Sequence, residues 1–415
     1  MKVKGKYGTA ILYATQINDN VIEQIEELMN QRFIEKSNVR IMPDCHQGVG
    51  CVIGTTINIK DSVVPNLVGV DIGCGMLTIN LGKLNINLPK LDEFIHKNIP
   101  AGEKIYDTAQ EHDVNITEMV CYDKLKHKKR FDCSIGTLGG GNHFIEIDES
   151  DDGEKYLVIH TGSRNLGVQV ADFYQDLADK LVNHDLEGYY KKRDEILTTY
   201  KELGKEREIE TALKELKKEL EVSKEVIPYE LAYLEDNNRE DYLHDMKVCQ
   251  EFAILNRLTI AKRIADYMGW NIDDYFESIH NYISFDDNIV RKGSISAKLG
   301  ERVIIPINMR DGCIVGTGLG NEDWNYSAPH GAGRSMSRME ALKNINLDEY
   351  KDAMKDIYTT SVNEGTKDEA PFVYKSLEEI LEHIIPTVKV DKIIKPRYNF
   401  KASEEVKPWQ VKKES

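Results

Sequence analysis

Two side chains that can bind a metal ion lie three positions apart in the segment VGVDIGCGM, residues 68–76. Asp71 offers a carboxylate and Cys74 a thiolate, and both groups are ligands of divalent transition metals. Gly73 and Gly75 allow the backbone to bend tightly, so that both side chains can chelate an ion from one turn. The segment therefore predicts a metal-binding turn beside strand-like sequence.

Histidines supply further potential ligands. Four of the eleven differ from the rest because they lie beside glycines or at the ends of apolar runs: His143 (GTLGGGNHFIEI), His160 (YLVIHTGSRNLG), His280 (ESIHNYI) and His330 (SAPHGAGR). Three histidines with an aspartate and a cysteine exceed the four ligands of a closed structural site. We therefore expect two adjacent ions that share Cys74 and keep positions open for substrate. The thiolate by itself favours zinc.

His330 has a different environment from the other three. Pro329 fixes the backbone before it, and Gly331, Ala332 and Gly333 leave space after it. A bulky phosphate can therefore approach its ring closely. Histidine can act as a nucleophile and hold a phosphoryl or nucleotidyl group covalently, and a neighbouring pair of metal ions would neutralise the phosphate charge. The pattern predicts His330 as a nucleophile.

Glycine-rich turns next to these histidines favour anion binding. The segments GGGN and HGAG can present successive backbone N–H groups to a phosphate, and basic residues follow them: Arg164, Arg291, Lys292, Arg334 and Arg338. If a helix starts at Gly333, Arg334 and Arg338 share one of its faces. The N-terminus of that helix would then point toward an anion near His330.

Short apolar runs alternate with glycine and aspartate turns along most of the chain. VGCVIGTTINI, PNLVGVDIGCGMLTINL, ERVIIPI and GCIVGTG predict strands, and NDNVIEQIEELMNQRF predicts a helix. The elements do not alternate regularly, which favours α+β or an irregular α/β fold. Residues 186–226 predict two amphipathic helices that turn near Gly204, a helical hairpin protruding from the core. The tail from 403 to 415 is polar.

The amino-acid composition narrows the classes of protein to which this chain can belong. The 415 residues contain no apolar run of about 18, so no membrane span is expected, and a cytoplasmic location is the default expectation. Seven scattered cysteines argue against a disulfide framework. The formal net charge of −16 would by itself argue against a nucleic-acid partner. However, residues 185–245 alone have a net charge of −7, so nearly half of the excess negative charge lies in one segment. A groove elsewhere can have the opposite sign.

Five ordered blocks of this sequence resemble the signature segments of the RtcB family of RNA-splicing ligases. They are VGVDIGCGM, GTLGGGNHFIEI, VIHTGSRNLG, HNYI with RKGSISA, and SAPHGAGR, spread over about residues 40–402. The resemblance implies an α+β fold in a single large domain, residues 1–402, with mixed sheets around a dimetal site and the insertion at 186–226. It implies GTP-dependent joining of an RNA 3′-phosphate or 2′,3′-cyclic phosphate to a 5′-hydroxyl, in tRNA splicing or RNA repair.

The resemblance also implies a role for each matching residue. The metal ligands, for two Mn²⁺ ions rather than zinc, are Asp71, Cys74, His143, His160 and His280. The histidine that becomes guanylylated is His330. The residues in contact with GTP are Asn142, His143, Phe144, Ile145, Glu146, His280, Asn281, Pro306, Ile307, Asn308, Met309, Cys313, His330, Gly331, Ala332, Gly333 and Lys401. The residues that bind the RNA backbone are Arg164, Lys292, Arg334 and Arg338.

Three positions depart from the family pattern, and two other functions stay open. PINM, residues 306–309, replaces a stretch that is usually PGSM, and Cys313 replaces a serine, which is a better hydrogen-bond donor than a thiol. A metal-dependent phosphoesterase acting on RNA ends would use the metal ligands without a nucleophilic histidine. A non-catalytic RNA-end binding protein would keep the shape of the site without turnover. The physiological RNA and any activating partner are left open.

Overall fold

The computed structural model describes residues 1–15, 17–203, 205, 208–219 and 227–402. The predicted tail at 403–415 and the predicted turn at Gly204 lie outside the described residues. The helices are α1 (Asp19–Met29), α2 (Leu88–Asn98), α3 (Lys129–Ser134), α4 (Arg164–Val182), α5 (His184–Glu202), α6 (Ile209–Glu219), α7 (Asp236–Met268), α8 (Arg338–Asn344), α9 (Leu347–Ala353) and α10 (Leu377–Ile384).

Sixteen strands complete the described regular structure. They are β1 (Lys2–Lys4), β2 (Thr9–Leu12), β3 (Val39–His46), β4 (Ile53–Asn58), β5 (Gly75–Gly82), β6 (Phe144–Ser150), β7 (Lys155–Thr161), β8 (Tyr275–Ile279), β9 (Asn281–Ile283), β10 (Ile289–Lys292), β11 (Ser294–Ser296), β12 (Arg302–Asn308), β13 (Gly312–Gly318), β14 (Ser327–Pro329), β15 (Tyr358–Thr359) and β16 (Val388–Lys401).

The strands form two large sheets and one small one. The first sheet has the order β1-β2-β3-β4-β10-β9, and the second has the order β12-β13-β16-β6-β7-β5-β8, with β15 beside β16. Strands β11 and β14 pair separately. Most pairs are antiparallel, whereas β2 with β3 and β15 with β16 are parallel. The mixed sheets and unevenly placed helices confirm the predicted α+β class.

The second sheet curves until its edges nearly meet. The backbone N–H of Ile304 in β12 donates to the Ser278 hydroxyl of β8 at 3.2 Å, which links the two edge strands. One face of this sheet packs its apolar side chains, such as Ile145 and Ile159, against the C-terminal third of α7. The long helix α7 therefore supports β5 and β7, the strands that carry or adjoin the predicted metal ligands.

The described part of the predicted hairpin is helical. Helices α5 and α6 cover most of residues 186–226 and pack against each other. No helix in the described part of the chain is long and apolar enough to cross a membrane.

Two predictions about local structure were wrong. The run PNLVGVDIGCGMLTINL is a strand only from Gly75 onward, because Gly69 and Gly73 have φ values of +101° and +72°, which extended strands do not have. The helix expected at Gly333 begins at Arg338 instead. Gly333 has a φ of +74°, and a Cβ there would lie 2.2 Å from the Asp44 carbonyl oxygen, so this position is a tight turn against β3.

Candidate active site

Adjacent strand ends of the second sheet bring together the predicted metal ligands. Cys74 immediately precedes β5, which pairs with β7 on one side and β8 on the other. His160 lies near the end of β7, and His280 directly follows β8. His143 directly precedes β6, whose first residue is opposite His160. The strand register therefore places side chains that are far apart in sequence around one thiol.

Distances between donor atoms show how compact the cluster is. Cys74 Sγ lies 3.5 Å from His143 Nε2 and 3.3 Å from His160 Nε2. His143 Nε2 lies 3.0 Å from Asp71 Oδ2, and His160 Nε2 lies 3.3 Å from His280 Nε2. All five predicted metal ligands are thus in one continuous group, with Cys74 between two of the imidazoles.

Backbone carbonyls fix two of these imidazoles in the orientation that ligands need. His143 Nδ1 lies 2.9 Å from the Leu138 oxygen, and His160 Nδ1 lies 3.1 Å from the Asn142 oxygen. Because a carbonyl can only accept, each Nδ1 carries the proton and each Nε2 lone pair faces the cluster. Among the described residues, Asp71 Oδ1 has no hydrogen-bond partner although it is buried. Such an orphaned oxygen is suited to a metal ion.

Burial sets the protonation of the cluster. Burial and the neighbouring Asp71 raise the pKa of the Cys74 thiol well above its usual value. Burial also lowers the pKa values of His160 and His280 well below the usual value, which keeps both rings neutral. Although burial acts against it, the neighbouring His143 and Arg164 lower the pKa of Asp71. Neutral imidazoles, a carboxylate and a thiol that ionises only beside a cation fit a divalent metal.

A buried arginine holds the two backbone segments next to Cys74 and His160. Arg257 of α7 is fully buried, and its Nη1 donates to the carbonyl oxygens of Gly73 and Thr161, each at 2.8 Å. Its Nε donates to Glu277 Oε1 at 2.7 Å. The guanidinium thus joins α7 to residues adjacent to two members of the cluster, and Glu277 balances its charge.

Replacement of Arg257 with leucine is expected to lower the free energy of unfolding by about 3–5 kcal/mol, because Glu277 and two carbonyl groups would lose a buried partner. Urea denaturation followed by circular dichroism measures the change. Arg302→Leu is the matched control, since its 2.8 Å ion pair with Asp274 is about half exposed and should contribute under about 1 kcal/mol. Equal losses in the two variants would contradict this account of Arg257.

His330 lies beside the cluster and is anchored by a residue that the sequence analysis missed. The ring centroids of His330 and His280 are 4.9 Å apart. Asp44 of β3 is fully buried, and its Oδ2 accepts from His330 Nδ1 at 2.7 Å and from the His330 backbone N–H at 3.2 Å. In the segment MPDCHQG, an aspartate two positions before His46 was the one indication that Asp44 could have a functional role. Local sequence does not predict its contact with His330, because the two residues are 286 positions apart.

A cavity of about 1920 Å³ opens over His330 and the cluster. Its walls include many of the predicted nucleotide contacts: Asn142, Phe144, Glu146, His280, Pro306, Ile307, Asn308, Met309, His330, Gly331, Ala332, Gly333 and Lys401. Arg334 and Arg338, two of the predicted RNA-binding residues, also line it. His46 and Gln47 contribute to the wall as well, although the sequence analysis assigned them no role.

Other predicted contacts lie behind the wall. His143, Ile145, Asn281 and Cys313 are outside the lining; Ile145 packs in the apolar core, and the Asn281 side-chain amide donates to the Asp71 carbonyl at 3.3 Å. Lys292 is 3% exposed and donates to the backbone oxygens of Val49 and Asn66.

Arg164 is also placed behind the wall rather than in it. Its guanidinium donates to Thr137 Oγ1 at 3.2 Å and to the Gly102 oxygen at 2.8 Å. Both Arg164 and Lys292 therefore direct donors to protein groups behind the wall, whereas Arg338 lies in the wall with a side chain that is 49% exposed and 3.7 Å from Asp368 Oδ2.

Lys401 and Glu369 form a buried ion pair at the edge of the cavity. Lys401 Nζ lies 2.7 Å from Glu369 Oε2, and the two side chains are 5% and 2% exposed. Although burial acts against ionisation, Lys401 and Arg338 lower the pKa of Glu369 to about 2. Glu369 is therefore a carboxylate that holds the Lys401 side chain at the edge of the cavity.

The cavity wall thus contains a cluster of potential metal ligands and, beside it, a histidine held by a carboxylate. This arrangement is typical of metal-dependent enzymes that transfer nucleotidyl or phosphoryl groups. Comparison with known proteins narrows this class. The sequence profile of a family described as "tRNA-splicing ligase RtcB" matches residues 24–124 and 107–402. The chain belongs to the RtcB family, and the prediction that it is an RNA ligase is confirmed.

Relatives match along most of their length. The "RNA-splicing ligase RtcB" of Escherichia coli K12 is 30% identical, with 86% of this chain and 88% of the relative covered. The "tRNA-splicing ligase RtcB" of Methanococcus maripaludis is 28% identical, with 92% and 91% covered. The protein of the same description from Aeropyrum pernix is 25% identical, with 90% of each chain covered.

Proposed function

We propose that the protein joins RNA ends that carry a 3′-phosphate or 2′,3′-cyclic phosphate to 5′-hydroxyl ends, with GTP as the energy source and Mn²⁺ as the metal. His330 is the residue that carries GMP between GTP and RNA. The observation that supports this proposal most strongly is the 2.7 Å contact between His330 Nδ1 and buried Asp44 in the wall of the cavity.

The Asp44 contact determines which nitrogen of His330 reacts. The carboxylate accepts a hydrogen bond from Nδ1–H and so keeps the proton on that nitrogen. The Nε2 lone pair is therefore free to attack the α-phosphorus of GTP. The Nε2–P bond forms as the bond to pyrophosphate breaks. The ring then gains positive charge, and the Asp44 carboxylate stabilises that charge in the same way that it holds the ring.

The metal ions would be held by Asp71, Cys74, His143, His160 and His280. When bound, divalent ions polarise phosphate oxygens and neutralise their charge. Lys401 and the backbone N–H groups of the turn at Gly331 to Gly333 bind and orient the anionic phosphates from the cavity wall. Thiolate chemistry alone still favours zinc over manganese, so the choice of metal is part of the test.

Transfer to RNA completes the reaction. A cyclic phosphate is first opened by water to a 3′-phosphate. An oxygen of that phosphate attacks the GMP phosphorus, the bond to His330 Nε2 breaks, and an RNA–ppG end results. The 5′-hydroxyl then attacks the 3′-phosphorus, GMP leaves, and a phosphodiester joins the two RNA ends. Arg338, the more exposed of the two arginines in the wall, is available to the RNA backbone.

Labelled GTP distinguishes the proposed ligase chemistry from the two alternatives. The protein is incubated with Mn²⁺ and GTP labelled on the α-phosphate, and then with an RNA that has matched ends. A labelled protein band and a sealed RNA support the proposal. Hydrolysis of cyclic ends with neither a band nor sealing would indicate a phosphoesterase, and binding of RNA ends without chemistry would indicate a binding protein. Parallel reactions with Zn²⁺ test the metal.

Replacement of Asp44 with asparagine should slow guanylylation by about 10²–10⁴-fold, because the amide can stabilise the wrong imidazole tautomer and cannot balance the charge on the ring. The rate of label incorporation at several pH values measures the effect. An Asp44→Glu variant, which keeps the negative charge, should recover part of the rate. A merely structural role for Asp44 would instead lower the amount of folded protein and leave the rate per folded molecule unchanged.

A further inference from the structure

His46, the last residue of β3, lies in the wall of the cavity but is neither a predicted metal ligand nor a predicted nucleotide contact. Its Nδ1 lies 3.0 Å from the backbone oxygen of Asp44. Because a carbonyl oxygen can only accept, Nδ1 carries the proton and the lone pair is on Nε2. Among the described residues, Nε2 has no hydrogen-bond partner. His46 therefore offers a free basic nitrogen in the cavity wall.

His46 is held in place on both sides along the chain. Asp44 binds His46 Nδ1 with its backbone oxygen, and it binds His330 Nδ1 with Oδ2 at 2.7 Å. After His46, the backbone N–H of Gly48 donates to Gln24 Oε1 of α1 at 3.2 Å, and Gln24 Nε2 donates to the Gly48 oxygen. One residue thus positions both imidazoles, and α1 fixes the segment that follows. Such positioning is what a proton-transfer group requires.

The surroundings of His46 keep its ring neutral. Burial lowers the pKa of His46 below its usual value, and the neighbouring His330 and Arg334 act in the same direction. The backbone oxygen and the carboxylate of Asp44 act in the opposite direction without reversing the shift. A ring with a lowered pKa is unprotonated at neutral pH, and this is the form that can accept a proton.

The other groups in the wall that could accept a proton are already engaged. Each glutamate in the wall accepts a hydrogen bond or pairs with a lysine: Glu146 with Asn399, Glu340 with Ser337, Glu364 with Lys367, and Glu369 with Lys401. His160 and His280 are predicted metal ligands, and His330 is the proposed carrier of GMP. Among the described residues of the wall, His46 is thus the imidazole that is left to accept a proton.

The sealing step of the proposed ligation needs such an acceptor. Pyrophosphate and GMP leave as anions, and the RNA 3′-phosphate attacks as an anion, so these steps proceed without removal of a hydroxyl proton. The 5′-hydroxyl is different, because it is a poor nucleophile until a base takes its proton in the transition state. A neutral imidazole that becomes an imidazolium is the commonest such base.

We propose that His46 is the general base of the sealing step, an inference that rests on the proposed ligase function. As the 5′-oxygen bonds to the 3′-phosphorus of the RNA–ppG end, the hydroxyl proton passes to His46 Nε2. The bond from that phosphorus to the oxygen of GMP breaks, and GMP leaves with the electron pair. The imidazolium then returns its proton to water, while Nδ1–H stays bound to the Asp44 oxygen.

An RNA that already carries the 3′-ppG end tests this step alone. The full-length protein with Mn²⁺ is mixed with this RNA and a 5′-hydroxyl RNA, and the single-turnover rate is measured over a range of pH. The rate should fall as the pH drops through the pKa of His46, below 6.5. His46→Gln should seal about 10²–10⁴-fold more slowly and lose this pH dependence. His127→Gln, at an exposed position outside the wall, is the matched control and should seal normally.

Two further readouts separate proton transfer from a structural role. Imidazole added to His46→Ala should restore part of the sealing rate, because a free base can enter the space that the side chain leaves. Labelling of His330→GMP should change by less than about tenfold in His46→Gln, because that step removes no hydroxyl proton. A structural role for His46 would give no rescue by imidazole and would lower both rates together.

A His46→Gln protein that seals as fast as the unmodified protein, with the same pH profile, would overturn the role of His46 and leave the ligase function standing. If His46→Gln does not fold, His46→Asn replaces it, because its amide N–H can still bind the Asp44 oxygen. An unmodified protein that cannot seal the 3′-ppG end would overturn the proposed function itself, and the role of His46 with it.

Discussion

Replacement of His330 with alanine is expected to remove covalent labelling by GTP completely and to reduce RNA ligation by at least about 10³-fold. The reason is that the proposed covalent bond forms at Nε2 of this ring, which Asp44 leaves free by holding the opposite nitrogen. Gel analysis of protein incubated with labelled GTP and Mn²⁺ measures the first effect, and sealing of an RNA with matched ends measures the second.

A chemically activated RNA makes this prediction more specific. An RNA that already carries the 3′-ppG end needs no transfer from His330, so His330→Ala should still seal it to a 5′-hydroxyl. His383→Ala is a matched control, because His383 lies in α10 and its Nδ1 is bound to the Glu379 carbonyl oxygen at 2.6 Å. It should label normally. A labelled band in His330→Ala would assign the nucleophile to another residue.

Replacement of Cys74 with serine is expected to have the second large effect. Its sulfur lies within 3.5 Å of two imidazoles, so that it would hold a divalent ion together with these rings. A serine hydroxyl does not ionise near neutral pH, so an anionic ligand would be lost. We expect Mn²⁺ binding to fall by at least one ion per chain and ligation to fall by about 10³-fold or more. Elemental analysis and a ligation time course measure the two quantities.

The control for Cys74 is another buried cysteine. Cys51 is 1% exposed and lies in the core of the first sheet, outside the ligand cluster around Cys74. Cys51→Ser should change thermal stability without changing the number of Mn²⁺ ions bound. Equal Mn²⁺ stoichiometry and affinity in Cys74→Ser and the unmodified protein would show that Cys74 is not a ligand.

Local sequence predicted the parts of this molecule that depend on neighbouring residues. Strands β12 and β13 were predicted from short apolar runs, and α1 was predicted from apolar residues at helical spacing after an asparagine. The start of α8 was predicted wrongly. Ser337 and Glu340 form a capping box that starts this helix at Arg338, and this local signal was not used in the prediction. Glycines in the run before β5 were interpreted as part of a strand although their positive φ values make it a turn.

The family was determined by the sequence itself, and the ligands and the nucleophile were predicted from it, because five motifs keep their residue types whether or not the chain is folded. Only the tertiary structure decided which distant residues act together. It paired Asp44 with His330, turned the Lys292 side chain toward backbone oxygens, and gathered Glu146, Asp148 and Cys313 on one face of the second sheet. These contacts follow from strand order and register, which depend on packing across the whole chain rather than on any local pattern.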